Sequence, residues 1–259
     1  MRIALISDIH GNCVALDAVL ADIAIQGGVD GYWLLGDLVA LGPDPAGVMQ
    51  RLRTLPNQQA IRGNTDRWLT DVHTEFPLTP DEISRGAQNN ESSLLELAYS
   101  MVWTQGALTA SGDLDWIAKL PLEYRTILPD GTRVLCVHAA PGQDDGAGIR
   151  PVMSDAQVAA AIAGADADLI FVGHTHWALD RIVNGVRVVN LGGVSLPVIP
   201  ELRASYLLLA ADEHGYQLNL RKVDYDRQRA IAQLQAQRHP AYATIRGFLN
   251  GERRPFWET

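Results

Sequence analysis

Cysteine is scarce in this chain: among 259 residues there are only Cys13 and Cys136. Two thiols cannot build a disulfide framework, so the usage fits a reducing compartment, and a cytoplasmic location is the expectation. Long apolar runs are missing as well. No stretch approaches the roughly 18 residues needed to cross a bilayer, which excludes a membrane-spanning helix. The opening MRIALISDIHGN reaches an Asp and a His before a signal-peptide core can develop. A third lack is basic excess: 21 Lys and Arg stand against 30 Asp and Glu, a formal net charge of −9. A broad cationic face for nucleic acid is therefore not expected, whereas a small phosphorylated substrate at a local metal site remains compatible with that balance. No internal repeat, low-complexity tract or linker cuts the chain in two, and no feature signals an oligomeric state.

What is there reads as a layered α/β protein. The apolar run Ile3–Ile6 forms a strand, the loop SDIHGN follows, and helical spacing takes over through Ala15, Leu16, Val19, Leu20 and Ile23, with Asn12 placed as the cap. A second strand ends in Gly36-Asp37, and a third ends in Gly63-Asn64. The segment 67–119 is polar and mostly helical. It is expected to cover the core as an excursion, with Leu94, Leu95, Ala98 and Val102 on its inward stripe. Three hairpins follow, two of them with the turn signals Pro129-Asp130-Gly131 and Asn184-Gly185. The expected organisation is one domain over 1–225 with a helical tail over 226–259 packed on it.

Five short motifs fall at the ends of expected strands: Asp8-Ile9-His10, Gly36-Asp37, Gly63-Asn64-Thr65-Asp66, His138 after VLCV, and Gly173-His174-Thr175-His176 after LIFV. Loops at the carboxyl ends of sheet strands are where α/β proteins build sites. Together they supply two Asp, one Asn and four of the seven histidines, all N or O donors. Such a set suits Mn, Fe, Zn, Co or Ni better than Ca, and seven donors are enough for two ions that share a carboxylate.

In order and spacing these motifs resemble those of the calcineurin-like metallophosphoesterases (D-x-H, GD, GNH[DE], H, GHxH), over Arg2 to about Gly193. The short form is similar to their small bacterial and archaeal phosphodiesterase branch. The resemblance implies a four-layer α/β/β/α sandwich with a helical cap segment. It implies two divalent metals, manganese first among the candidates, held by Asp8, His10, Asp37 and His176 and by Asp37, Asn64, His138 and His174. It further implies in-line attack on phosphorus by a hydroxide shared between the metals, with Asp37, Asn64 and Asp66 as the catalytic residues. Asn64 would also contact substrate, and Arg62, like Arg67, flanks the motif where a phosphate could be met, although a solvated arginine is the plainer reading.

One position departs from the pattern. Thr65 stands where many members carry the histidine that protonates the leaving group, a role worth about 10²–10⁴-fold. Substrates with good leaving groups are then favoured, or another group, His73 or a metal-bound water, supplies the proton. The function expected is a metal-dependent phosphoesterase, foremost a phosphodiesterase. The alternatives are a phosphomonoesterase, a nucleotide pyrophosphatase, or a non-catalytic binding scaffold on the same fold. His73, His214 and His239 have no motif support and read as surface residues. Cys13 and Cys136 read as small core residues, Asp144-Asp145 as an exposed loop that could shape the entrance to the site, and Arg253 and Arg254 as a solvated helix end.

Overall fold

A computed structural model describes residues 1–76 and 92–252. The side chains of His73 and Leu94, and Arg253 and Arg254, lie outside the described residues. In the first sheet β1 (Arg2–Ile6), β2 (Gly31–Leu35) and β3 (Gln58–Ile61) run parallel, joined through α1 (Cys13–Ile25) and α2 (Pro45–Leu52). The antiparallel pair β9 (Ala204–Asp212) and β10 (Gly215–Val223) extends it, giving the order β10-β9-β1-β2-β3. In the second sheet β5 (Arg133–Val137), β6 (Leu169–Val172) and β8 (Val186–Asn190) are parallel. The edges are the antiparallel β4 (Glu123–Ile127) and β7 (Leu179–Val183), in the order β4-β5-β6-β8-β7. At the tip of the β7–β8 hairpin Asn184 and Gly185 both have positive φ, 51° and 84°, the backbone that two-residue hairpins favour.

The period-two alternation of the strands makes the layers. Ile3, Leu5, Trp33 and Leu35 point into a core shared with Val134, Cys136, Leu169 and Phe171 of the opposite sheet. Their neighbours Ala4, Ile6 and Leu34 face the helices on one outer side, and Leu135, Val137, Ile170 and Val172 face α7 (Asp155–Ala161) on the other. The result is an α/β/β/α sandwich. Trp33 fills the middle, edge-on to Tyr124 and Phe171 with ring centroids 5.5 and 6.4 Å apart.

The excursion comprises α3 (Asn64–Thr70), α4 (Val72–Glu75), α5 (Ser92–Ser111) and α6 (Leu114–Ala118). Its inward stripe differs from the sequence expectation. Ala98, Met101 and Leu108 are fully buried on α5, whereas Val102 is 47% exposed. Leu, Met, Val and Trp occur nearly all round this helix, so periodicity alone does not single out a face, and contact with Leu69, Val72 and Ile117 decides it. The tail helices α8 (Arg227–Ala236) and α9 (Tyr242–Leu249) bury Ala230, Ile231, Leu234, Ile245 and Leu249 against Val14 and Leu196.

His239, expected at the surface, is instead 3% exposed. Its Nδ1 accepts from the Ala241 N–H at 3.2 Å, its Nε2 faces the Ser100 hydroxyl at 3.4 Å, and its ring lies edge-on to Trp103 at 4.8 Å. It joins the tail to α5, a contact that only tertiary packing creates. His214 is at the surface, as expected from the β9–β10 turn.

Candidate metal centre

Both sheets direct the carboxyl ends of their parallel strands to one edge of the sandwich. There the chain leaves β1, β2 and β6 through residues with left-handed backbone: Asp8, His10, Asp37, His174 and His176 have φ between 47° and 66°. Each such non-glycine residue costs about 1–3 kcal/mol and persists only where its surroundings over-determine it. Such residues concentrate at functional sites, and here they turn successive side chains inward. Gly63 is needed for a different reason: a Cβ there would lie 2.1 Å from Asp37 Oδ1. Its bare backbone lets α3 approach, and the Thr65 N–H donates to that oxygen at 2.9 Å.

All seven residues that the motifs singled out converge on this edge. Asp8, His10, Asp37, Asn64 and His138 are each at most 5% exposed. His10 Nδ1 donates to the Ala40 carbonyl at 3.0 Å, which leaves Nε2 as the lone-pair nitrogen. His176 Nδ1 is held by the carbonyls of Ser195 and Leu196 at 2.9 and 2.7 Å. The two Nε2 atoms therefore face each other 3.1 Å apart, with Asp8 Oδ1 3.2 Å from that of His176 and Asp37 Oδ2 3.6 Å from that of His10. On the other side His138 Nδ1 donates to the Leu35 carbonyl at 2.6 Å, and its buried Nε2 has no hydrogen-bond partner among the described residues, lying 3.5 Å from Asp37 Oδ2. His174 Nε2 donates to the Gly146 carbonyl at 2.9 Å, so its Nδ1 turns a lone pair toward Asn64 Oδ1 at 3.0 Å. Asp8, His10 and His176 form one group able to hold an ion, and Asp8, Asp37 and His138 form another.

The electrostatics divide along the same line. Burial and the neighbouring charge of His176 act on His10 against the pull of Asp37, leaving it at about 4. Burial and the charge of His138 likewise hold His174 below the usual histidine range. The other two histidines go the opposite way. Burial disfavours charge on His138, but Asp37 and then Asp8 carry it up to about 10. Asp8 does the same for His176. Both carboxylates, although buried, stay well below the usual range because these histidines face them. Each half of the site thus sets a histidine pushed toward the charged form beside one pushed toward the neutral form.

Other residues have duties that the sequence did not reveal. Asp66 accepts from the Leu38 and Gly63 N–H groups at 3.0 and 2.9 Å, so both its oxygens brace the turns behind the site. Burial and then Asp37 push it up to about 7. The Thr65 hydroxyl is buried without a hydrogen-bond partner among the described residues. Arg62 lines an open groove of about 350 Å³ beside the site, but its Nε donates to Asp144 at 2.7 Å. Asp144, expected in an exposed loop, is 7% exposed, because Arg62 and Arg67 both reach it and neutralise its charge. The carbonyls of Leu35, Ala40, Gly146, Ser195 and Leu196 that set the histidine tautomers are backbone atoms and leave no trace in residue identity. Asn190 gave a faint signal, a polar residue closing an apolar strand. It is fully buried, and its amide donates to the Gly173 carbonyl and the Thr175 hydroxyl at 2.8 and 2.9 Å, which steadies the loop of His174 and His176.

The profile of the calcineurin-like phosphoesterase superfamily domain matches residues 1–214. The chain belongs to this superfamily. It is accordingly a hydrolase of the metallophosphoesterase type, acting on phosphoester bonds. A metallophosphoesterase of Sphaerobacter thermophilus superposes with a TM-score of 0.74 at 27% identity, covering 97% of this chain and all of that one. A hypothetical protein of Pyrococcus horikoshii shares the fold with a TM-score of 0.79 at 19% identity, over 98% of this chain and 99% of that one. An uncharacterized protein of Methanocaldococcus jannaschii is 27% identical over 95% of this chain and 97% of its own length. A shorter likeness, 39% identity over 74 residues, links 28% of the chain to 26% of a symmetrical bis(5'-nucleosyl)-tetraphosphatase of Pectobacterium atrosepticum.

Proposed function

We propose that this phosphoesterase uses two divalent ions and cleaves phosphodiester or phosphoanhydride linkages whose leaving group departs with little help from an acid. The carrying observation is the convergence of potential ligand atoms. His10 Nε2 meets His176 Nε2 at 3.1 Å, and His174 Nδ1 meets Asn64 Oδ1 at 3.0 Å, each ring being held in place by a backbone carbonyl on its other nitrogen. A proton can sit between the first two nitrogens in the metal-free site, and a shared divalent ion would displace it and draw the same atoms into coordination. Asp8, His10, Asp37 and His176 would hold one ion, and Asp37, Asn64, His138 and His174 the other. The N/O donor set fits Mn, Fe, Zn, Co or Ni.

Bound there, two such ions supply a water nucleophilic near neutral pH and positive charge for the phosphoryl oxygens. The chain's own residues do the rest. The Leu35, Ala40, Gly146 and Ser195 carbonyls hold the imidazoles rigid, so little reorganisation is needed when substrate arrives. The Asn64 amide can give its NH₂ to a phosphoryl oxygen while its oxygen faces the ion. Among the described residues around Asn64, none is placed to deliver a proton readily. Thr65 has only a hydroxyl, and both Asp66 oxygens are occupied by backbone N–H groups. This supports a substrate with a low-pKa leaving group, and the local likeness to a tetraphosphatase supports the anhydride side of that class.

The test is hydrolysis of an aryl phosphodiester, a dinucleoside polyphosphate and an alkyl phosphomonoester across several divalent metals, with a chelated control. Turnover of the first two should depend on metal and exceed that of the monoester. Folded, metal-loaded protein that hydrolyses none of them would overturn the reading.

A further inference from the structure

The loop that follows His138 is irregular, apart from the bridge between Ala140 and Gln143, yet two of its residues meet the ring of His174. Gly146 offers its carbonyl to Nε2 at 2.9 Å. Gly148, with φ at 58°, passes so close that a Cβ would lie 2.9 Å from His174 Cδ2 and 2.6 Å from Thr175 Cγ2. The loop is therefore shaped around this imidazole, and its own attachment sets where the imidazole sits.

That attachment is a cluster of ion pairs. The Asp144 carboxylate takes Arg62 Nε at 2.7 Å and Arg67 Nε at 3.2 Å. Asp145 takes Arg67 at 3.2 Å and accepts from the Gly146 N–H at 2.7 Å. Arg67 is also paired with Glu75 of α4. Both arginines flank Asn64, Arg62 two residues before it and Arg67 three after. Asp144 thus fastens the loop that holds His174 to the element that carries Asn64, and these are the two side chains whose donor atoms face each other. Asp144 lies nearly all out of solvent, where a paired carboxylate is far harder to displace than one at the surface.

From this geometry we propose that Asp144 is a positioning residue: through Arg62 and Arg67 it holds the Gly146 carbonyl on His174 Nε2, so that Nδ1 is presented beside Asn64. Arg62 and Arg67 then serve the site by bracing it rather than by gripping phosphate. Only the destination of Nδ1, a second metal ion, rests on the function proposed above.

Long-range ¹⁵N–¹H correlation of the imidazoles in chelator-treated, ¹⁵N-histidine-labelled full chain tests this, with His174 assigned from its loss in His174→Gln. Wild type should show His174 in a single tautomer with its proton on Nε2. In Asp144→Ala that tautomer should give way to a mixture, and Mn²⁺ calorimetry should show one of two affinities weakened about 10- to 100-fold, the range for an orienting partner of a metal ligand. The other affinity, set by His10 and His176, should hold. If Asp144→Ala does not fold, Arg67→Gln, which leaves the Arg62 pair intact, should produce the same loss in smaller degree. Folded Asp144→Ala with His174 still wholly in the Nε2–H tautomer and both affinities unchanged overturns the proposal. Wild type that binds no ion would count against the two-metal reading alone, because the signal of the metal-free protein still decides the role of Asp144.

Discussion

Binding of divalent metal should expel protons, and the number follows from the site. In the metal-free protein His138 is pushed up to about 10 and His176 is raised, while His10 and His174 stay neutral. An ion that takes Nε2 of His138 must remove its proton. At pH 7.5 that group lies about 2.5 units below its pKa and carries essentially one full proton, so displacement costs about 3 kcal/mol at 1.36 kcal/mol per unit. The apparent affinity of that ion should rise about tenfold per pH unit through the neutral range. His176 adds a second, smaller contribution for the other ion.

The stability of the metal-free protein runs the opposite way. A raised histidine contributes stability that is full below its unfolded pKa near 6.5, and that contribution is lost as pH climbs through about 10. The gain in melting temperature on adding metal should therefore grow from pH 6.5 to 8.5. Calorimetric titration with Mn²⁺ in two buffers of different protonation enthalpy gives the proton count directly, and at pH 7.5 between one and two protons from the histidines, with up to one more from metal-bound water, should leave per pair of ions. The His138→Gln variant should release about one proton fewer. Metal binding with no proton release, or affinity that stays flat between pH 6.5 and 8.5, would refute the picture of protons standing in for cations.

Three further outcomes are expected. Thr65→His should raise turnover of a phosphomonoester with a poor leaving group by about 100-fold, the lower end of the general-acid range; unchanged turnover with both metals bound would mean that protonation does not limit that substrate. His239, which burial pulls down to about 4, makes the fold lose stability as pH falls from about 6.5 toward 4, roughly 2 kcal/mol by pH 5. Urea titrations at pH 7 and 5 should show that loss in wild type and a smaller one in His239→Gln, and equal losses would sink the assignment. On α5, Met101→Ala should cost about 2–5 kcal/mol and Val102→Ala less than about 1, since only the former is fully buried; the reverse order would put the inward stripe elsewhere.

Regular elements of the sandwich were legible wherever two signals agreed. Strands such as Ile3–Ile6 and Leu169–Val172 are short apolar runs ended by glycine or aspartate, and hairpin turns such as Asn184-Gly185 have chemistry that admits few other conformations. Where only one signal was present the reading slipped. The apolar surface of α5 offered two candidate stripes. His239 had no neighbours in sequence to mark it as buried, because its partners Ser100 and Trp103 lie more than a hundred residues away. Asp144 looked like a loop carboxylate because its two arginines arrive from α3 and the turn before it.

The sequence by itself determined which side chains would meet. Each of the seven stands at the end of a strand, and strand ends on parallel sheets gather at one edge, so residue type and local pattern were enough to bring Asp8, His10, Asp37, Asn64, His138, His174 and His176 together. Only the tertiary structure decided how they are held. Which nitrogen of each histidine is free depends on backbone carbonyls, and which histidines carry protons depends on burial and on carboxylates contributed by other strands. A carbonyl looks the same in every residue and a pKa belongs to an environment, so neither can be read from the order of amino acids.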